Sequence, residues 1–97
     1  MSKEKINRYP NQLTIARRQR GLGRKCVARL IGHRSIWMLA RYEEGRALPP
    51  LPVALKLEVL YRSPVAFLWP GLYSELRQQV RDREEGEAAL SGGVHAQ

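Results

Sequence analysis

Glycine and proline residues divide this sequence into short segments, and this division limits the fold more than any other feature. Helices often end at glycine, and proline is excluded from helix interiors, so we expect helices to begin and end near these positions. Within the segments, apolar residues recur at helical spacing, as Val27, Leu30 and Ile31 do. The chain also contains only one Phe, which fits small packed helices better than a sheet sandwich. The sequence therefore predicts an all-α fold.

Local start and stop signals set the predicted limits of these helices. Asn11 and Ser35 are suited to cap helices, and Gly21, Gly32 and Gly45 to end them. The prolines at 49, 50 and 52 delay the next helix until its first turn can begin at Pro52. The predicted helices cover residues 12–20, 24–31, 36–44, 52–61, 65–68 and 72–83.

Positive charge is concentrated in the first half of the chain. Residues 1–48 contain 12 Lys and Arg against 3 acids, whereas residues 49–97 contain 5 against 6. A polyanion is the expected partner of so basic a segment, with nucleic acid and an anionic membrane surface as the two obvious choices. The sequence has no apolar run of about 20 residues and no apolar signal segment at its N-terminus. We therefore expect a cytoplasmic protein with no membrane partner.

Catalysis has little support in the sequence. There is no glycine-rich phosphate loop, and no Ser or Cys lies beside a suitable base. Cys26, His33 and His95 are too few and too scattered for a structural zinc site. We expect no enzymatic activity, no catalytic residue, no metal and no cofactor.

A series of residues in a fixed order resembles a known family of DNA-binding proteins. The series consists of Arg17, Gly21 and Leu22, then Val27, Ala28, Ile31 and Gly32, then Leu39, Arg41, Tyr42, Glu43 and Gly45, followed by a proline-rich lead into an apolar helix. Over residues 11–69 it is similar to the lambda-repressor-like, Cro-type helix-turn-helix family, also called the xenobiotic-response-element family. The resemblance implies a five-helix domain whose second and third helices read DNA, here with an extra C-terminal helix.

The same resemblance implies roles for several charged residues. An arginine of helix 1 pairs with the glutamate at the end of helix 3, which here are Arg17 and Glu43. The residue that opens helix 2 contacts a phosphate, and Arg24 has this place, where the family usually has glutamine. Arg46 follows the loop glycine and is placed to bind a second phosphate.

Base reading is expected from the start of helix 3 and from the turn before it. The candidate residues are Arg34, Ser35, Ile36, Trp37, Met38 and Arg41. Eight residues separate Gly32 from Arg41, one more than the commonest family spacing, and residues 36–39 are all apolar.

Trp37 either contacts DNA or packs beneath helix 1 or helix 4. Arg41 either binds guanine, pairs with Glu44 or contacts phosphate.

The sequence thus predicts a homodimeric transcriptional regulator, a repressor, that binds double-stranded DNA in a sequence-specific manner. Its expected organisation is a flexible basic arm at 1–10, the helix-turn-helix domain at 11–69, a C-terminal helix at 70–85 that either forms the dimer contact or packs back on its own domain, and a disordered tail at 86–97. The dimer would form through helix 5 and the Leu72, Leu76 and Val80 stripe. An alternative function is that of a protein-interaction module, such as an antitoxin or adaptor. RNA binding is a third possibility that the sequence supports less.

Overall fold

A computed structural model describes residues 7–90 of the protein, which fold into six α-helices. The helices are α1 (Leu13–Gln19), α2 (Arg24–Ile31), α3 (Ile36–Glu43), α4 (Leu51–Tyr61), α5 (Val65–Leu68) and α6 (Pro70–Leu90). There is no β-strand in this part of the chain, so the predicted all-α fold is confirmed. No helix among the described residues is both long enough and apolar enough to cross a lipid bilayer.

The first five helices share one hydrophobic core. Each contributes one side chain with no solvent exposure: Leu13, Val27, Leu39, Leu57 and Leu68. Ile31, Tyr42, Tyr61 and Trp69 complete the buried cluster. Because α1 to α5 bury side chains against one another, this core fixes the position of α3 relative to its neighbours.

The turn between α2 and α3 follows from two residues. Gly32 adopts a φ of 84°, which glycine tolerates without steric cost, and ends α2. The next amide, of His33, donates to the Ala28 carbonyl at 2.8 Å. Ser35 then caps α3 by accepting a hydrogen bond from the Trp37 amide at 3.4 Å. The predicted limits of α2 and the cap of α3 agree with the structure.

The two ends of the described chain differ from the sequence prediction. Helix α6 begins at Pro70 instead of Leu72 and continues to Leu90, whereas the sequence predicts its end near Arg83 and a tail from Gly86. The reason is that residues 84–90 are mostly Glu and Ala, which favour helix, and a single Gly86 costs only about 1 kcal/mol. Residues 91–97 of the predicted tail lie outside the described residues.

Residues 7–10, the described part of the predicted basic arm, are attached to the domain. Tyr9 packs against the core, and its amide donates to the Gly45 carbonyl at 3.0 Å. Asn11 accepts from the Leu13 amide at 3.0 Å, although α1 begins one residue later than this predicted cap implies. The polar composition of residues 1–10 predicts a flexible arm, but the packing of Tyr9 against the core holds the end of this segment on the domain. Residues 1–6 of the predicted arm lie outside the described residues.

Candidate nucleic-acid interface

Helix α3 buries one face and leaves the other in solvent. Leu39 and Tyr42, three residues apart, are buried in the core. The predicted base-reading residues are all exposed: Arg34, Ser35, Ile36, Trp37, Met38 and Arg41. We call these six residues the α3 surface. It comprises the N-terminal half of α3, the turn before the helix, and Arg41 one turn further on.

The two alternatives for Trp37 are distinguished by its burial. Its side chain is 72% exposed, so it does not pack beneath α1 or α4. Residues two apart on a helix point in nearly opposite directions, and Leu39 points into the core. Trp37 must therefore face solvent, while Ile36 and Met38, on the flanks, are each about two-fifths exposed.

Arg41 is free of the intramolecular pairing that the sequence left open. Glu44 contacts Arg46 instead, with 3.2 Å between Arg46 Nε and Glu44 Oε1. Arg41 forms no ion pair within residues 7–90 and is exposed. Its guanidinium is therefore available to an external acceptor on the same side of α3 as Trp37 and Met38.

The carboxylate of Glu43 connects three helices. Its side chain is only 1% exposed, and Arg17 of α1 contacts it at 2.7 Å between Nε and Oε2. Arg24, at the start of α2, contacts it at 2.9 Å between Nε and Oε1. Thr14 donates its hydroxyl to Oε1 at 3.2 Å. The structure thus brings the predicted pair Arg17 and Glu43 together and adds two partners that the sequence did not predict.

Arg24 and Arg46 lie beside the C-terminal end of α3. Each is about two-fifths exposed and is held through Nε, Arg24 by Glu43 and Arg46 by Glu44. A guanidinium carries five donor hydrogens, so these ion pairs leave donors on the terminal nitrogens of each residue. Both residues can therefore keep their protein contact and still bind an anion.

No protein-family model, curated protein or solved structure matches this chain. The support for a function comes from the geometry of α3 and its neighbours. Within residues 7–90, no group of three His, Cys, Asp or Glu side chains is positioned to hold a metal ion.

Two buried phenols lie close to the ionic cluster. Burial is the main reason that the pKa of Tyr61 is raised to about 12; the negative charge of Glu43 adds to the rise, and the positive charge of Arg17 opposes it. Burial also raises the pKa of Tyr42. Tyr42 and Tyr61 are 3% and 5% exposed, so the inner side of the cluster is buried, and burial strengthens the interaction of Glu43 with its two arginines.

The links from Glu43 to Thr14 and Arg24 were missed by sequence reasoning, although one signal was present. Thr14 precedes Arg17 by three residues, so the two share a face of α1. Any acid paired with Arg17 would also lie within reach of Thr14. Arg24 had no such signal, because a residue that opens a helix can equally point into solvent.

Proposed function

We propose that this protein has the lambda-repressor-like helix-turn-helix fold and binds double-stranded DNA in a sequence-specific manner, as a homodimeric transcriptional repressor. The observation that carries the proposal is the α3 surface. Its residues face solvent on a helix whose opposite face is fixed in the core and whose last residue, Glu43, is held by two arginines. An exposed helix held in one orientation is what reading a major groove requires.

The proposed docking uses α2 and α3 for different tasks. Helix α2 crosses the DNA backbone, while α3 enters the major groove with its N-terminal residues toward the bases. Arg24 and Arg46 contact phosphates on either side, which supplies affinity without sequence preference. The ionic cluster at Glu43 supports this arrangement because it holds α3 against α1 and α2.

Sequence preference would come from three kinds of contact on the α3 surface. Arg41 donates two hydrogen bonds to O6 and N7 of a guanine. Ile36 and Met38 contact thymine methyl groups, and Trp37 lies along sugar and base edges. The hydroxyl of Ser35 already accepts from the Trp37 amide, so Ser35 contributes to the position of α3 more than to the choice of base.

Selection from randomised duplex DNA at physiological salt tests this proposal. The native chain should enrich a DNA motif with two half-sites whose centres are about 34 Å apart, each half-site being bound by one protomer of the dimer. Arg41→Ala should relax the preference at one position per half-site and weaken binding by ~1–3 kcal/mol. Arg62→Ala, which removes an equal charge from the exposed residue that follows α4, is the matched control and should keep the motif. Salt-sensitive binding without any enriched motif would contradict sequence-specific recognition.

A protein-interaction module is the second candidate, and one observation favours it. Trp37 is 72% exposed and has Ile36 and Met38, both exposed, beside it, and aromatic and methionine side chains are common at the centres of protein interfaces. The two functions differ in their dependence on Arg41. A partner protein held by Trp37 should be lost with Trp37→Ala and kept with Arg41→Ala, whereas DNA recognition should be impaired by both.

A further inference from the structure

Helix α4 is apolar on the face that points to solvent as well as on the face that points to the core. Leu57 and Tyr61 are buried. On the other side of the helix, Leu55 and Val59 are 44% and 76% exposed, and Leu30 of the neighbouring helix α2 is 59% exposed. Contiguous exposed apolar surface is typical of an interaction site.

These exposed side chains line a groove between α2 and α4, which we call the α2–α4 groove. It has a volume of about 410 Å³, and its lining includes Leu30 of α2 and Leu55, Val59 and Leu60 of α4. Among the described residues that line it, Lys56 alone is polar. The floor of the groove is therefore apolar, with one cation at its side.

The rim of the α2–α4 groove is positively charged. Lys56 Nζ donates to the Ile31 carbonyl at 3.2 Å, and Arg20 Nε donates to the Leu60 carbonyl at 3.0 Å. Arg29 is on the exposed side of α2. None of these three cations forms an ion pair within residues 7–90. Because carbonyl groups have no net charge, each cation can still attract an acid.

The helices that form the groove place no free acid beside these cations. Helix α2 contains three cations and no acid, and Glu58 of α4 accepts from the Val65 amide at 3.0 Å, at the start of α5. An apolar floor with a basic rim is complementary to an apolar stripe flanked by acids. It is not complementary to itself, because a two-fold axis through the groove would set one basic rim against another.

We propose that the α2–α4 groove binds an amphipathic helix of another protein, whose apolar stripe is flanked by Asp or Glu. Leu55 and Val59 are about one helical turn apart, which matches the spacing of apolar side chains on a helix laid into the groove. A peptide that binds as an added strand needs an open sheet edge, and residues 7–90 contain no strand.

The proposed peptide site is separate from the α3 surface. None of the six residues of the α3 surface lines the α2–α4 groove. Binding of a partner helix therefore does not rest on the proposed DNA recognition, and the two can be tested independently on the same protein.

Two synthetic peptides of about 15 residues, long enough to follow the 11 residues of α4, test this proposal. Both have leucine at the three-and-four helical spacing and alanine on the opposite face. The flanking positions are glutamate in the acidic peptide and lysine in the basic peptide. Fluorescence anisotropy of the labelled peptides should give the full chain a dissociation constant at least ~tenfold lower for the acidic peptide. This preference should shrink at high salt.

Substitutions in the chain locate the binding. Val59→Glu places an acid in the groove, and Lys56→Glu reverses the charge at its side; each should raise the dissociation constant of the acidic peptide at least ~tenfold. Val80→Glu is the matched control, because it makes the same substitution at a residue of α6 that is 55% exposed and lies outside the groove. It should bind the peptide more than Val59→Glu does and nearly as well as the native chain. Circular dichroism should report native helix content for every variant.

Several outcomes would overturn the proposal. A native chain that does not prefer the acidic peptide is one, and unchanged binding by Val59→Glu or Lys56→Glu is another. A native dimer that dissociates with Val59→Glu during sedimentation would assign the groove to a second copy. Binding to phosphatidylcholine and phosphatidylserine vesicles that Val59→Glu abolishes would assign it to lipid. Peptide binding without an enriched DNA motif would contradict the proposed function alone, and a DNA motif without peptide binding would contradict the groove proposal alone.

Discussion

Two neighbouring glutamates illustrate how the surroundings of a residue decide its importance. Glu43 is enclosed, with its side chain 1% exposed and two arginines and a hydroxyl around it. Glu44 pairs with Arg46, but both side chains are more than one-third exposed. Buried ion pairs are costly to break because the remaining charge has no water to solvate it, whereas exposed pairs contribute little.

Removal of the Glu43 carboxylate should therefore destabilise the fold strongly. Glu43→Ala leaves Arg17, 9% exposed, without its anion, and we expect the free energy of unfolding to fall by ~3–5 kcal/mol. Glu44→Ala is the matched control and should change it by less than ~1 kcal/mol. Urea unfolding followed by circular dichroism measures both. Equal losses for the two variants would show that the Glu43 cluster does not hold α3 in place.

Tyr61 should make stability fall at alkaline pH. Its folded pKa is about 12 against an ordinary value of 10.0, so between these two pH values the unfolded chain releases a proton that the folded chain keeps. The contribution is fully present below pH 10 and is lost as pH rises toward 12. We expect a loss of ~1–2 kcal/mol in the native chain.

Tyr61→Phe has no phenol to ionise and is the control for this pH dependence. Tyr42, whose pKa is also raised by burial, remains in both proteins, so the difference between them isolates Tyr61. Urea unfolding at pH 9, 10, 11 and about 12 should give a smaller decline for the variant. An identical decline in both proteins would contradict a buried phenol at position 61.

Helices with strong local signals were predicted well from the sequence, and those without them were not. Gly32 ends α2 and Ser35 caps α3 as predicted, because both signals act within a few residues. The sequence predicts a tail from Gly86, but α6 continues through this glycine to Leu90, because one glycine in a segment rich in Glu and Ala does not end a helix. The spacing of Leu39 and Tyr42 predicts that both face the core, as the structure confirms; it leaves open which of the apolar residues 36–38 face solvent.

The end of α4 contains a local strain that can be relieved. Arg62 ends this helix with a φ of 56°, a conformation that side chains with a Cβ adopt at a cost. Arg62→Gly should raise the free energy of unfolding by ~0.5–1 kcal/mol, and hence the melting temperature by roughly 4 °C. Arg62→Ala removes the same charge without relieving the strain, so it should give no increase. A melting temperature that rises equally in both variants would assign the effect to charge.

At the scale of the whole molecule, charge and apolar surface are separated along the chain. The basic excess lies in residues 1–48, which include α1 to α3, whereas α6 has an exposed apolar stripe of Tyr73, Leu76 and Val80. The sequence predicted this division, because charge can be counted without a structure. It could not predict that Arg24 and Arg46 are held by Glu43 and Glu44, because those contacts depend on how α2 and the loop after α3 pack.

Contact between the α3 surface and DNA can be measured directly through the fluorescence of Trp37. The described residues contain two tryptophans, Trp37 at 72% exposure and Trp69 at 5%. Acrylamide should therefore quench mainly Trp37 in the free protein. Binding to a duplex enriched by selection should reduce this quenching severalfold, while Trp37→Phe, which keeps only Trp69, should show weak quenching with and without DNA. If the duplex binds and Trp37 remains as open to acrylamide as in the free protein, α3 does not read DNA.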